Sequence, residues 1–395
     1  MLSQKRGDME NYNVGDLVSE FLYQMGVKDV FGVVSVHNIP MLDAIGRRNF
    51  IKMVPARGEM GAGHMADGYA RATNGLGVVF TSTGPGAANV AGSLVESRFA
   101  GSPILHFTGQ TATENLDKNQ GTVHDVPDQL GMLKSISKEA IRISHADDAL
   151  AQLIEATTIA LTPPMGPVSV EIPIDIQRTN IKRPSMLDQI KLPNINLQIG
   201  DTSSLDQIES IIRASKRKIL WVGNGGKFAR NEVEQFIKMG FSVVTSALGR
   251  GVVPESNQMS LGAFNAVPLI EEFYKTLDLM IVVGSRLRGH ETRDMSLKLP
   301  HKIIQIDIDP DAENRTYKTN LFHCGDAKKV LGELAHRLSN QLSTDEEWVN
   351  EVADLKIKIF QDYKKNLGAY KDFPEIIRKI LPEDGNWVRD ITISN

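Results

Sequence analysis

The stretch Ile51-Lys52-Met53-Val54-Pro55-Ala56-Arg57-Gly58-Glu59, followed by Met60-Gly61-Ala62-Gly63-His64-Met65-Ala66-Asp67-Gly68-Tyr69-Ala70-Arg71-Ala72, joins an apolar, strand-like run to a helix of mostly small residues, with a carboxylate at the junction. A strand that turns directly into a helix is the unit of a doubly wound parallel sheet, whose ligands gather at the carboxyl ends of the strands. Glu59 is therefore expected at the mouth of a sheet. The next unit repeats the pattern: Val78-Val79-Phe80-Thr81-Ser82 reads as a strand, Thr83-Gly84-Pro85-Gly86 as a tight turn, and Ala87-Ala88-Asn89 as a helix start. Glycines in such a turn let the backbone come close to a neighbouring group. Two strand ends thus converge on one expected pocket.

Outward from this pair the alternation continues. Residues 28–34, 50–54, 77–80, 103–109 and 167–172 read as strands, with helices beginning near Val14, Met60, Ala87 and Ala146. The last of these strands runs into Pro173, which cannot extend a central ladder, so a first domain is expected over residues 1–177. Residues 178–201 mix prolines and polar side chains without a period and read as a linker. A second alternating block follows over residues 202–340, with strands at 218–222, 242–245, 279–283 and 303–308 and helices at 231–239 and 327–338. Residues 341–395 carry a charged helical arm at 344–370, an amphipathic helix at 373–381 and a strand at 387–393. The expected fold class is α/β, with two doubly wound, mostly parallel-sheet domains and a short helix and strand after them.

Bulk composition narrows the function. Hydrophobic residues make up 41% and charged residues 23%, the balance of a globular protein, and the net charge of -4 offers no basic excess to attract nucleic acid. Apolar runs such as Leu279-Met280-Ile281-Val282-Val283-Gly284 are too short to span a bilayer. The start, Met1-Leu2-Ser3-Gln4-Lys5-Arg6, is charged and lacks the apolar core of a signal peptide. A cytoplasmic enzyme without membrane or nucleic-acid partners is expected. The single cysteine, Cys324, cannot pair within the chain and reads as a strand end rather than a reactive thiol.

The residues around Glu59 and Gly84 strongly resemble the pyrimidine-binding domain of thiamine diphosphate enzymes of the acetolactate synthase and 2-oxo acid decarboxylase superfamily. The second block, in which Ile306-Asp307-Ile308-Asp309-Pro310 closes a strand, is similar to the Rossmann-like central domain of the same superfamily. The resemblance implies thiamine diphosphate as cofactor, activated by Glu59 through a hydrogen bond to the aminopyrimidine ring. Thr83, Gly84, Pro85, Gly86 and Asn89 would border that ring. The implied substrate is a small 2-oxo acid, decarboxylated or ligated to a second carbonyl. His124, in the loop Gln120-Gly121-Thr122-Val123-His124-Asp125, would serve as proton donor or as partner of the substrate carboxylate. His37, in the turn after the first strand, is a further candidate, and His64 is expected to pack against the sheet. Without the resemblance, Glu59 reads equally as an acid complementing a helix dipole. The 83–86 turn then reads as a plain connection and His124 as a solvated loop residue.

The second block contains Gly223-Asn224-Gly225-Gly226 after a strand, but the spacing is not that of a dinucleotide fingerprint and no acid ends the next strand, so NAD is not expected. Acetolactate synthases carry a non-redox FAD on this domain. Here Gly284-Ser285-Arg286-Leu287-Arg288-Gly289-His290 keeps an arginine at the expected start and lacks the family's following aspartates, which weighs against FAD. The resemblance also places the diphosphate and its Mg²⁺ on a third domain with an acidic-glycine motif, whose oxygen ligands suit that ion. Glu383-Asp384-Gly385-Asn386 precedes the last expected strand and is in the wrong place, so no metal ligand is assigned. The expectation is half a cofactor site, inactive alone: the truncated start of a diphosphate-binding domain is all that follows. The other half would come from a missing domain or a separate polypeptide, within a homodimer or homotetramer. The alternative is a non-catalytic paralogue acting as a binding or assembly protein.

Overall fold

The computed structural model describes residues 12–118, 120–339 and 344–387. It divides into two compact units, Met1–Asn196 and Leu197–Asn395.

The first unit runs α1 (Val14–Gln24), β1 (Asp29–Gly32), α2 (Ile39–Arg48), β2 (Lys52–Pro55), α3 (Glu59–Thr73), β3 (Gly77–Thr81), α4 (Pro85–Asn89), α5 (Ala91–Ala100), β4 (Ile104–Gln110), α6 (Gln129–Ile136), β5 (Glu139–Arg142), α7 (Ala149–Leu161), β6 (Val168–Pro173) and α8 (Ile174–Arg178). Its strands form one parallel sheet in the order β2-β1-β3-β4-β6-β5. Every residue of β3, β4 and β6 is buried, as central parallel strands covered by helices require, whereas the edge strands β2 and β5 are mixed. The strand order reverses between β1 and β3, so the crevice of this sheet opens beyond their carboxyl ends.

The small-residue helix has a packing reason. A Cβ at Gly63 of α3 would stand 1.9 Å from the Ser93 hydroxyl of α5, so the two helices approach as closely as they do only with glycine there. Ala62, Ala66, Asp67 and Ala70 complete the buried face of α3. His64 lies off that face and is exposed, which corrects the expectation that it packs against the sheet. Further differences are α2, α6 and the edge strand β5, none of them expected from periodicity. The stretch read as a linker is shared between the units. Its first part folds back on the first: Ile181 N–H donates to the Tyr12 carbonyl at 2.9 Å, and Leu187 is wholly buried in that unit's core.

The second unit runs α9 (Thr202–Ala214), β7 (Lys218–Val222), α10 (Arg230–Lys238), β8 (Phe241–Thr245), α11 (Pro268–Tyr274), β9 (Leu279–Val283), β10 (Ile303–Asp307), β11 (Leu321–Cys324), α12 (Ala327–Leu338), α13 (Glu346–Asn366) and α14 (Phe373–Ile380). A parallel sheet in the order β11-β10-β9-β7-β8 carries its core, centred on Trp221, Phe236, Phe241 and Tyr274. The arm expected at 344–370 is anchored in this core. Trp348 of α13 stacks on Phe273 at 5.5 Å between ring centroids and donates from Nε1 to the Gly240 carbonyl at 2.9 Å. The strand expected at 387–393 lies outside the described residues apart from Trp387. Among the described residues no helix is long and apolar enough to cross a membrane.

Candidate cofactor site

Glu59 is the first residue of α3, set there by the turn that leaves β2, where a carboxylate complements the helix dipole. Its half-buried side chain leans on the 83–86 turn. Asn89 Nδ2 donates to Oε2 at 3.2 Å, and a Cβ at residue 86 would stand 2.8 Å from Oε1. Gly86 therefore keeps Oε1 clear. A cleft of about 760 Å³ adjoins the carboxylate, lined among others by Ala56, Arg57, Met60, Met65 and Asn89. A larger cleft of about 1060 Å³, between α13, α14 and the 247–264 segment of the second unit, contains none of the candidate site residues.

Gly84 sits at φ 52 and ψ -110, in a region open to glycine, and a Cβ there would meet the His124 carbonyl oxygen at 2.2 Å. Behind the turn stands Gln129, the buried first residue of α6. Its Oε1 accepts from Gly84 N–H at 2.6 Å and from the Thr83 hydroxyl at 2.9 Å, and its Nε2 donates to the Gly109 carbonyl at 3.1 Å and to Glu171 Oε2 at 2.8 Å. Glu171 of β6 is fully buried; burial pushes its carboxyl up, opposed by the Arg142 guanidinium paired with Oε1 and by the Gln129 bond. Arg142 also holds Asp117 of the 111–128 loop at 2.6 Å. The hydroxyl of Thr83 thus belongs to the support of the turn.

His124 is exposed, at φ 65, and its ring centroid lies 5.9 Å from that of His37. His37 is 9% exposed, and its Nδ1 is buried without a hydrogen-bond partner. Burial pushes its imidazole down, and His124 adds to the effect. Its backbone is fixed by Gln177, whose Nε2 donates to the His37 carbonyl at 2.7 Å, and by Gly109, where a Cβ would stand 2.0 Å from that oxygen. The hydroxyls of Ser35 and Ser82, 2.6 Å apart, tie the ends of β1 and β3 together. Glu59 and Asn89 therefore meet the turn at Gly86, and His124, with His37 beside it, meets it at Gly84. Exposed Pro85 lies between. Sequence reading missed Gln129, Glu171 and Arg142, because nothing local marks residues whose partners are remote in the chain.

In the second unit the glycines after β7 are occupied by backbone. Gly225 N–H donates to the Gly284 carbonyl at 3.0 Å, and a Cβ at Gly223 would stand 2.3 Å from the same oxygen. Close approach of two loops accounts for them without a nucleotide. Cys324 ends β11 and is exposed; burial of the thiol and the nearby Asp307 and Asp309 carboxylates push its pKa up, which leaves less thiolate to react.

Residues 12–132 match the family described as thiamine pyrophosphate enzyme, N-terminal TPP binding domain, and residues 205–334 match the thiamine pyrophosphate enzyme central domain. Similar proteins include the acetolactate synthase large subunits of Corynebacterium glutamicum, 28% identical over 88% of this chain and 56% of its own length, and Haemophilus influenzae, 28% identical over 92% of this chain and 65% of its own length. A probable 2-ketoarginine decarboxylase of Pseudomonas aeruginosa is 27% identical over 96% of this chain and 67% of its own length. The chain thus spans less than two thirds of the length of these synthases. With both domain matches falling on the two parallel-sheet units, and with Glu59 at the carboxyl ends of the first sheet, the chain belongs to the thiamine pyrophosphate enzyme family.

Proposed function

We propose that this chain supplies the ring-binding half of a thiamine diphosphate site in an enzyme that decarboxylates or ligates a 2-oxo acid. The observation that carries the reading is the Glu59 carboxylate beside an open cleft, with a neutral amide on Oε2 and a glycine facing Oε1. These residues fit a flat aminopyrimidine ring: a carboxylate to share a proton with a ring nitrogen, and a turn without side chains at Gly84 and Gly86. When bound, thiamine diphosphate supplies an acidic carbon that adds to the keto group and takes up the electrons released with carbon dioxide. The protein must orient the ring and place a proton acceptor beside it.

Within this chain, Asn89 holds Oε2 and leaves Oε1 clear, so Glu59 Oε1 would share the proton with the ring. His124 stands at the other end of the turn, where it would donate a proton or pair with the substrate carboxylate, with the His37 ring 5.9 Å away. The diphosphate and Mg²⁺ would be held by further protein, on a longer form of this chain or on a separate polypeptide, within a homo-oligomer. Calorimetric titration of thiamine diphosphate and Mg²⁺ into the chain completed by a diphosphate-binding domain tests the reading. Saturable binding that weakens in Glu59→Gln is expected. Equal heats with and without the chain would overturn it.

A further inference from the structure

The Gln129 amide makes four hydrogen bonds inside the protein, and they permit one orientation. The Gly109 carbonyl and the Glu171 carboxylate only accept, so Nε2 must face them, at 3.1 and 2.8 Å. Gly84 N–H only donates, so Oε1 must face it, at 2.6 Å. Turned over, the amide would set donor on donor and acceptor on acceptor in a buried site. The acceptor side is fixed in turn by charge: Arg142 pairs with Glu171 Oε1 and, at 2.6 Å, with Asp117 of the 111–128 loop. That loop also carries His124, whose carbonyl closes over Gly84.

From these contacts we infer that Gln129 is a positioning residue for the cofactor turn, with the chain Asp117, Arg142 and Glu171 fixing which way its amide stands. The bond to Gly84 N–H holds the positive-φ turn, the turn sets where Gly86 lies, and Gly86 leaves Glu59 Oε1 clear. Seating of the His124 loop reaches the same turn through Asp117, so the two ends of the site are mechanically linked. The functional part of this inference rests on the turn's being the ring-binding element; the positioning itself does not.

Hydrogen–deuterium exchange of the full chain, read in the 82–90 segment, tests it without any cofactor. Gln129→Met keeps the volume and removes the acceptor, and exchange in the turn is expected to speed up by about tenfold or more, with segments of β7 and β9 in the second unit unchanged. Gln129→Glu restores an acceptor toward Gly84 but sets a carboxylate against Glu171, so the turn stays fast. Asp117→Asn shows a smaller rise in the same segment. Wild-type protection of the turn in both Gln129 variants would overturn the inference. If those variants do not fold, Glu171→Gln, of the same shape, carries the test: faster exchange in the turn sustains it, and unchanged exchange contradicts it. Titration of the completed assembly with thiamine diphosphate separates the two readings. An unaltered Glu59→Gln titration alongside a loosened turn in Gln129→Met would refute the cofactor reading alone.

Discussion

At the scale of single residues, two glycines of one turn do different work. Gly86 leaves space: a Cβ there would lie 2.6 Å from Ser82 Cβ and 2.8 Å from Glu59 Oε1. Gly86→Ala is expected to raise the Kd for thiamine diphosphate in a completed assembly by about tenfold or more, from roughly 1–3 kcal/mol of overpacking, in a calorimetric titration. An unchanged Kd would show that Oε1 does not meet the ligand. Gly84 supplies conformation, and Gly84→Ala is expected to destabilise the first unit by about 1–3 kcal/mol in urea unfolding followed by circular dichroism. Local sequence made both glycines legible, since a glycine-proline turn after a strand is a short-range signal. Gln129 was not legible, because its bonds to Gly84 and Glu171 join residues 45 and 42 apart in the chain.

At the scale of elements, the central strands could be read and the edges could not. Val78-Val79-Phe80 and Val168-Ser169-Val170 are nearly continuous apolar runs because both faces of their sheet are covered. Glu139-Ala140-Ile141-Arg142 of β5 alternates weakly at an edge, and Leu321-Phe322-His323-Cys324 of β11 does the same in the second sheet. The helix α2 hides behind Pro40 in its first turn and Gly46 near its end. Within β4, His106 is fully buried, its Nε2 2.9 Å from the Thr81 hydroxyl and its Nδ1 2.9 Å from the Ser169 hydroxyl. Burial pushes its pKa down to about 3 from 6.5. The folded protein keeps this imidazole neutral while the unfolded chain takes up a proton below about pH 6.5, so stability is full above that pH and falls as the solution is acidified toward pH 3. Between pH 6.5 and about pH 5 the loss is roughly 2 kcal/mol. In His106→Gln the urea midpoint is expected to fall less over that interval; an equal fall would assign the acid sensitivity to other groups.

At the scale of the whole molecule, each unit has its own sheet and core. All 3 tryptophans, Trp221, Trp348 and Trp387, belong to the second, so tryptophan fluorescence reports that unit alone. Leu153→Ala, which empties a fully buried site on α7, is expected to cost the first unit about 2–5 kcal/mol. Circular dichroism should then show an earlier transition while the fluorescence transition stays in place. A matching shift of both probes would mean that the units unfold together. The order of two parallel-sheet units was readable because each repeats strand, turn and helix. The division of residues 178–201 was not, since Leu187 gains its place in the first core from contacts remote in sequence.

Exchange of the thiazolium carbon-bound proton of thiamine diphosphate for deuterium, followed by NMR, reads whether Glu59 shares a proton with the cofactor ring. In an assembly of this chain completed by a diphosphate-binding domain, exchange should be fast with Glu59 present and slower by roughly 100-fold or more in Glu59→Gln at saturating cofactor. Equal exchange rates in the two proteins would contradict proton sharing by Glu59.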